Sequence, residues 1–131
     1  MVRFFGVFGA TLLFVACASN ELPGQHRAVA DSLYFGTAMP GGQVTESDWQ
    51  SFVAKVITPR FPKGVTSWTA AGQWRNHDGS LAREKSYVLL LVHPDAAQCD
   101  QAISEIVATY KKRFQQEAVL RVRTPSQILF Q

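Results

Sequence analysis

The chain has 131 residues, 47% of them hydrophobic and 18% charged, a balance of globular rather than disordered sequences. Thirteen Lys and Arg stand against ten Asp and Glu, a formal charge of +3, too little for the strong basic field of a typical nucleic-acid binder. The length suits one compact domain and not two.

Residues 1–17 read MVRFFGVFGATLLFVAC. Arg3 gives a short positive start, and Phe4–Ala16 is apolar and uncharged. This run is shorter than the roughly 20 residues a helix needs to span a bilayer, and it fits a secretory signal. Phe14-Val15-Ala16-Cys17 resembles a bacterial lipoprotein signal: residues 1–16 are removed and Cys17 becomes the acylated N-terminus. Ala16-Cys17-Ala18 offers an alternative A-x-A site, with cleavage after Ala18 leaving a soluble periplasmic protein. Two acyl chains on Cys17 hold a protein to a membrane far better than one. Ala18, rather than Asp, behind the Cys points by analogy with lipoprotein sorting to the periplasmic face of the outer membrane. Without the leader about 115 residues remain, with a charge of about +2. Cys99 is then unpaired, and its place on an apolar helix face predicts a small buried hydrophobe.

Residues 17–31 are small and polar around Pro23-Gly24 and read as a tether, with His26 and Arg27 solvated. A single domain follows over 32–131. Ser32–Ala38 has the aromatic and β-branched content of a strand, and Pro40-Gly41-Gly42 breaks it. Thr45 with Asp48 three residues on predicts a capped helix start. Trp49, Phe52, Val53, Val56 and Ile57 follow with helical spacing, and Pro59 ends the helix. Val65–Asn76 reads as a strand with a bulge at Gly72. His77-Asp78-Gly79-Ser80 predicts a hairpin turn. Glu84–His93 returns as a strand, its unbroken apolar run Tyr87–Val92 implying cover on both faces. Asp95 is placed to cap a second helix, with Gln98 at its third position. Cys99, Ile103, Ile106, Val107, Tyr110 and Phe114 form its apolar face, and Lys111-Lys112-Arg113 suit its C-terminal dipole. Ala118–Thr124 alternates as a last strand. Pro125 interrupts it, and Ile128-Leu129-Phe130 forms a short strand or a docked tail.

The order β-α-β-β-α-β predicts an α+β fold, the ferredoxin-like sandwich: two helices on one face of a four-stranded antiparallel sheet. Leu33, Phe35, Leu120 and Val122 are expected under the helices. The open face is then expected to carry Tyr34, Tyr87, Leu89, Leu91, Arg121 and Arg123. An apolar open face calls for cover: a second copy of the chain in a homodimer, another partner, or the C-terminal tail. An RNA-binding reading of Tyr34 and Tyr87 with two arginines conflicts with the export signal and the small charge, so no nucleic acid is expected.

Chemical motifs are sparse. His26, His77 and His93 lack zinc-ligand spacing, and no nucleophile elbow, Walker or dinucleotide glycine pattern occurs. No metal and no cofactor are expected. The remaining candidate is a ligand pocket at the base of the hairpin built from Arg60, Gln73, Trp74, Arg83 and Glu84. There Trp74 forms a wall, Arg60 or Arg83 binds an anion, and Glu84 acts as a base if desolvated. Ordinary cross-strand charge pairing explains the same residues more simply.

The segments Leu33-Tyr34-Phe35-Gly36, Val44-Thr45 with Trp49 and Phe52, Pro59-Arg60-Phe61-Pro62-Lys63-Gly64-Val65-Thr66, Gly72-Gln73-Trp74 and Arg83-Glu84-Lys85-Ser86 together resemble the bacterial domain of unknown function 3574 family, over about residues 32–130. The resemblance implies a small exported protein or lipoprotein and no particular activity. The expected function is therefore that of a non-enzymatic envelope domain binding a partner or ligand. The alternatives are an enzyme on a dimeric scaffold with its pocket at the hairpin base, and a structural envelope component.

Overall fold

The structure, a computed structural model, describes residues 23–131 apart from Asn76 and the side chain of Trp74. The leader and Cys17 lie outside the described residues. The chain runs through β1 (His26–Gly36), a two-residue ladder of β2 (Ala38–Met39) and β3 (Gly42–Gln43), α1 (Glu46–Phe52), a π-helical turn (Val53–Ile57), β4 (Thr66–Arg75), β5 (Leu81–His93), α2 (Ala97–Phe114) and β6 (Leu120–Ile128). The main sheet has the order β4-β5-β1-β6, with every neighbouring pair antiparallel. The protein is thus α+β, a four-stranded antiparallel sheet with two helices.

Local chemistry explains most boundaries. The Thr45 hydroxyl accepts from the Asp48 backbone N–H at 3.1 Å, and the Asp48 carboxylate accepts from the Thr45 N–H at 3.0 Å, the reciprocal capping box. The helix then widens by one residue per turn: Thr58 N–H donates to Val53 O at 2.8 Å. Pro59 follows, so this wider turn closes the helix where no further ladder can form. At the other end of the hairpin Gly79 takes φ +84°, as the Asp-Gly turn requires. Gln115 ends α2 in the left-handed region at φ 53°.

The core lies between one sheet face and both helices. Leu33, Phe35, Tyr87, Leu89 and Leu91 meet Trp49, Phe52, Ile57, Ile103, Ile106, Tyr110 and Phe114. Trp49 stacks on Tyr87 at 4.9 Å with the planes 2° apart, and Tyr110 meets Phe35 edge-on at 4.6 Å. Each such fully buried side chain contributes about 1.5–3 kcal/mol, so these aromatics dominate what holds the helices down.

Several expectations need correction. The first strand starts at His26, not Ser32, because His26–Asp31 are paired with β6 from Ile128 to Arg123; this part of the expected tether belongs to the sheet. His26 and Arg27 are exposed, yet sit in that strand. Gly72 makes no bulge: it pairs one-to-one with Glu84 in an unbroken register from Thr66↔Leu90 to Arg75↔Leu81. Asp95 does not cap α2. The cap position is Ala96, which offers no side-chain bond, and Asp95 instead binds Arg123. Pro125 does not end the last strand. β6 is an edge strand paired to β1 alone, so the missing N–H of Pro125 can face outward without costing a ladder bond. The tail does not cover the sheet: Ile128 extends β6, and Phe130 is 89% exposed.

Candidate functional site

Strand alternation divides the sheet residues between two faces. Val29, Asp31, Leu33 and Phe35 of β1 point to the helices, as do Tyr87, Leu89, Leu91 and His93 of β5. Ala30, Ser32 and Tyr34 point away, opposed by Val92, Leu90 and Val88 on one side and by Thr124, Val122 and Leu120 on the other. Of the residues expected on the open face, only Tyr34 lies there. Tyr87, Leu89 and Leu91 are in the core. The apolar set that faces away from the helices is Val88, Leu90 and Val92. Leu120 and Val122, expected under the helices, are 60% and 45% exposed on the open face, separated by two strands from Trp68 at the opposite edge. Arg121 and Arg123 point the other way, towards α2.

The arginines turn inward because buried charge awaits them. Asp31 is fully buried. Arg121 Nε donates to its Oδ1 at 2.8 Å and Nη2 to its Oδ2 at 2.7 Å. Arg121 also reaches Asp100 of α2 at 2.6 Å, Arg123 reaches the same Asp100 oxygen at 2.6 Å, and Arg123 continues to Asp95. His93 completes the cluster, with Nε2 2.8 Å from Asp31 Oδ2 and Nδ1 2.7 Å from Pro94 O. Three carboxylates thus meet two guanidiniums and one imidazole. Burial pushes the Asp31 carboxyl up, but the Arg121 and His93 hydrogen bonds outweigh it and hold the group below its ordinary value. The Arg123 and Arg121 hydrogen bonds hold Asp100 down to about 2. The sequence signal for this cluster was Asp31 itself, at an inward position of Val29-Ala30-Asp31-Ser32-Leu33, legible only once the strand is taken back to His26.

The residues expected to form one pocket at the hairpin base are dispersed. Arg60 lies in the loop after the π-helical turn; it bonds Val56 O at 2.8 Å and Glu105 of α2 at 3.2 Å. It borders a cleft with Phe61, His93 and Cys99 at the far end of β5 from Glu84. Gln73 and Arg83 are cross-strand partners, and Trp74 pairs by its backbone with Ala82. Cys99 is partly buried, as its apolar helix position predicts. Glu84 has a definite structural role: its Oε1 accepts the backbone N–H groups of Thr37 at 2.8 Å and Ala38 at 2.7 Å. One carboxylate oxygen thereby holds the turn out of β1.

At that end of the sheet the open face deepens into a groove of about 740 Å³. Its floor is small: Gly36, Ser86 and Gly72 lie on three adjacent strands. Tyr34 and Leu120 rise on one side, Glu84 and Gln116 at the end. Among the described residues no group of three His, Cys, Asp or Glu is placed to hold a metal, and no helix is long and apolar enough to cross a membrane.

Fold and groove define a small α+β sheet domain with one face packed by helices and the other open. Residues 30–130 match the family described as protein of unknown function DUF3574. The chain belongs to that family. No curated protein matches it. Among solved structures it is similar to a phage SAM lyase in complex with S-methyl-5'-thioadenosine, with a TM-score of 0.58 at 14% identity over 75% of this chain and 81% of the lyase. The apo state of a phage SAM lyase gives the same TM-score and identity over 82% of this chain and 86% of the other. At that identity the likeness is one of fold.

Proposed function

We propose that this chain is an exported envelope lipoprotein, held to the periplasmic face of the outer membrane through Cys17, whose ferredoxin-like domain self-associates through its open sheet face. The strand order β4-β5-β1-β6 with both helices on one side supports the ferredoxin-like reading. The observation that carries the association is the composition of that face. Between His26 at one end and Glu84 at the other, its described side chains are Ala, Ser, Thr, Gly, Tyr, Trp, Val, Leu and Ile, none of them charged. A neutral face of this kind meets its own copy without like-charge repulsion, whereas a charged partner gains nothing from it.

The dimensions agree. Four strands about 4.8 Å apart, with nine residues rising about 3.3 Å each, present roughly 570 Å². Two copies bury roughly 1,100 Å², about the threshold for a specific interface. Trp68, 46% exposed near the start of β4, supplies the kind of aromatic anchor that dominates such contacts. Sedimentation equilibrium tests this reading: dimeric wild type supports it, and a wild type that stays monomeric at about 100 μM overturns it. Val122→Lys, which places two lysines in the pair, is expected to leave a folded monomer. Palmitate labelling of wild type but not of Cys17→Ser tests the anchor; equal labelling sinks it.

A second reading, an enzyme, draws on the fold shared with a SAM lyase. It predicts that the purified chain releases S-methyl-5'-thioadenosine from S-adenosylmethionine and that Glu84→Gln abolishes the release. No product in excess of a protein-free control would end it.

A further inference from the structure

We propose that the groove above Gly36 and Gly72 is a binding site for a small organic ammonium ion carrying a flat apolar group, with Glu84 and Gln116 taking the charged end. The groove is complete within one copy, and it occupies the Glu84 end of the open face, so a ligand there competes with a second copy for Tyr34 and Leu120.

Two independent observations lead there. The first is a convergence of acceptors. Gly36 is glycine at an ordinary φ, and the space its Cβ would fill is taken: Glu84 Oε1 would lie 2.9 Å from that carbon and Gln116 Oε1 3.1 Å. The Gln116 amide is oriented by its own bonds, since Nε2 donates to Ala38 O at 2.6 Å and to Phe114 O at 3.0 Å. Its carbonyl oxygen therefore faces the groove, and no described donor meets it. Glu84 spends Oε1 on two backbone N–H groups, which fixes the carboxylate and leaves Oε2 without a described partner. Among the described residues no Lys, Arg or His lines the groove, and Glu117 adds a second carboxylate at its rim. An oriented carboxylate and an oriented amide carbonyl, with no described cation lining the groove on their side of the sheet, call for a ligand that brings both positive charge and N–H donors.

The second observation is Gly72. It sits inside β4, where glycine weakens a strand, yet neither its backbone angle nor its packing against the described residues requires it. Among the described residues a Cβ there would meet only ordinary contacts, Glu84 O at 3.5 Å and Ser86 Oγ at 3.8 Å. No described side chain takes the room above it. A strand glycine of this kind marks close approach by something else. That room adjoins Tyr34, whose ring is 38% exposed and offers a face for a flat group and for cation–π attraction. The length of the trough, from Glu84 to the Tyr34–Leu120 wall, separates a charged end from an apolar end.

Benzylammonium, benzoate and benzyl alcohol share one ring and differ in charge, so they probe the site directly. Titrated into the full chain and followed by heteronuclear NMR, benzylammonium is expected to saturate, perturbing the amides of Gly36, Gly72 and Gln116, at least 10-fold more tightly than either analogue. Glu84→Gln keeps the acceptor for Thr37 and Ala38 and removes the charge; it is expected to weaken benzylammonium at least 10-fold. Gly72→Val, which the open space accommodates, is expected to block all three probes while leaving the fold intact. If Glu84→Gln does not fold, the Gly72→Val result decides alone. Absence of saturable benzylammonium binding, equal binding of benzoate, or full binding by Gly72→Val overturns the proposal.

Discussion

Arg121 grips both oxygens of Asp31 across neighbouring strands, at 2.8 and 2.7 Å, with the carboxylate fully buried. Such a pair contributes little net stability over a well-packed apolar one, but removing one partner leaves an uncompensated buried charge. Arg121→Ala is therefore expected to lower unfolding stability by about 3–5 kcal/mol, measured by urea denaturation. The double change Asp31→Leu with Arg121→Leu should recover most of that loss. Recovery separates the cost of stranding a charge from the worth of the pair.

The same cluster makes stability depend on acid. Asp100 is held to about 2, against an ordinary 3.8, and Asp31 also lies below its ordinary value. Both bind protons less readily in the folded chain than in the unfolded one, so their contribution is complete above the ordinary carboxylate range and is lost as pH falls through the folded values. The denaturation midpoint should be flat from pH 7 to 5, then fall between pH 4 and about 2. Asp100→Asn should start lower and fall less.

Tyr110 reaches from α2 into the sheet, its hydroxyl donating to Gly36 O at 2.8 Å. Burial pushes this phenol well above its ordinary value. Tyr110→Phe keeps the ring packing and leaves the Gly36 carbonyl without that donor, which should cost about 1 kcal/mol. In wild type, ultraviolet titration to pH 12 should show Tyr110 staying neutral until the chain unfolds.

Thr45 and Asp48 close the N-terminus of α1 reciprocally. Thr45→Ala should cost about 1 kcal/mol, and Thr45→Ser should restore nearly all of it. A loss confined to the helix that carries Trp49 and Phe52 is readable as a change in Trp fluorescence before global unfolding.

Periodicity carried the fold further than it carried the site. The α1 cap, the apolar faces of both helices and the Asp-Gly turn were legible because each rests on neighbours within four residues. The orientation of β6 was not. Leu120 and Val122 look like core residues, and Arg121 and Arg123 like surface, unless Asp31 is known to be inward; that depends on where β1 starts. Apolar residues on both alternations of β5 correctly implied two apolar faces, but alternation alone could not say which set met the helices. Arg60 and Glu84 looked like neighbours because the hairpin lies between their segments. The loop after α1 instead lands at the opposite end of β5. A strand glycine at position 72 suggests a bulge from sequence alone, and the unbroken register with β5 removes that reading.

The pairing of His26 with Ile128 sets how the domain is presented. The chain enters the sheet and leaves it on adjacent strands at the same end, and β1 runs from there to the groove at Gly36, roughly 30 Å away at about 3.3 Å per residue. Under the proposed anchorage through Cys17, the attachment would hold the sheet by one short edge, like a flag by its pole. The Gly36–Glu84 mouth is then carried outward into the surrounding solution, and the broad flank bearing Trp68 and Val122 stands sideways to the point of attachment. Two neighbours fastened to the same surface would meet along that flank without either turning its groove towards the surface.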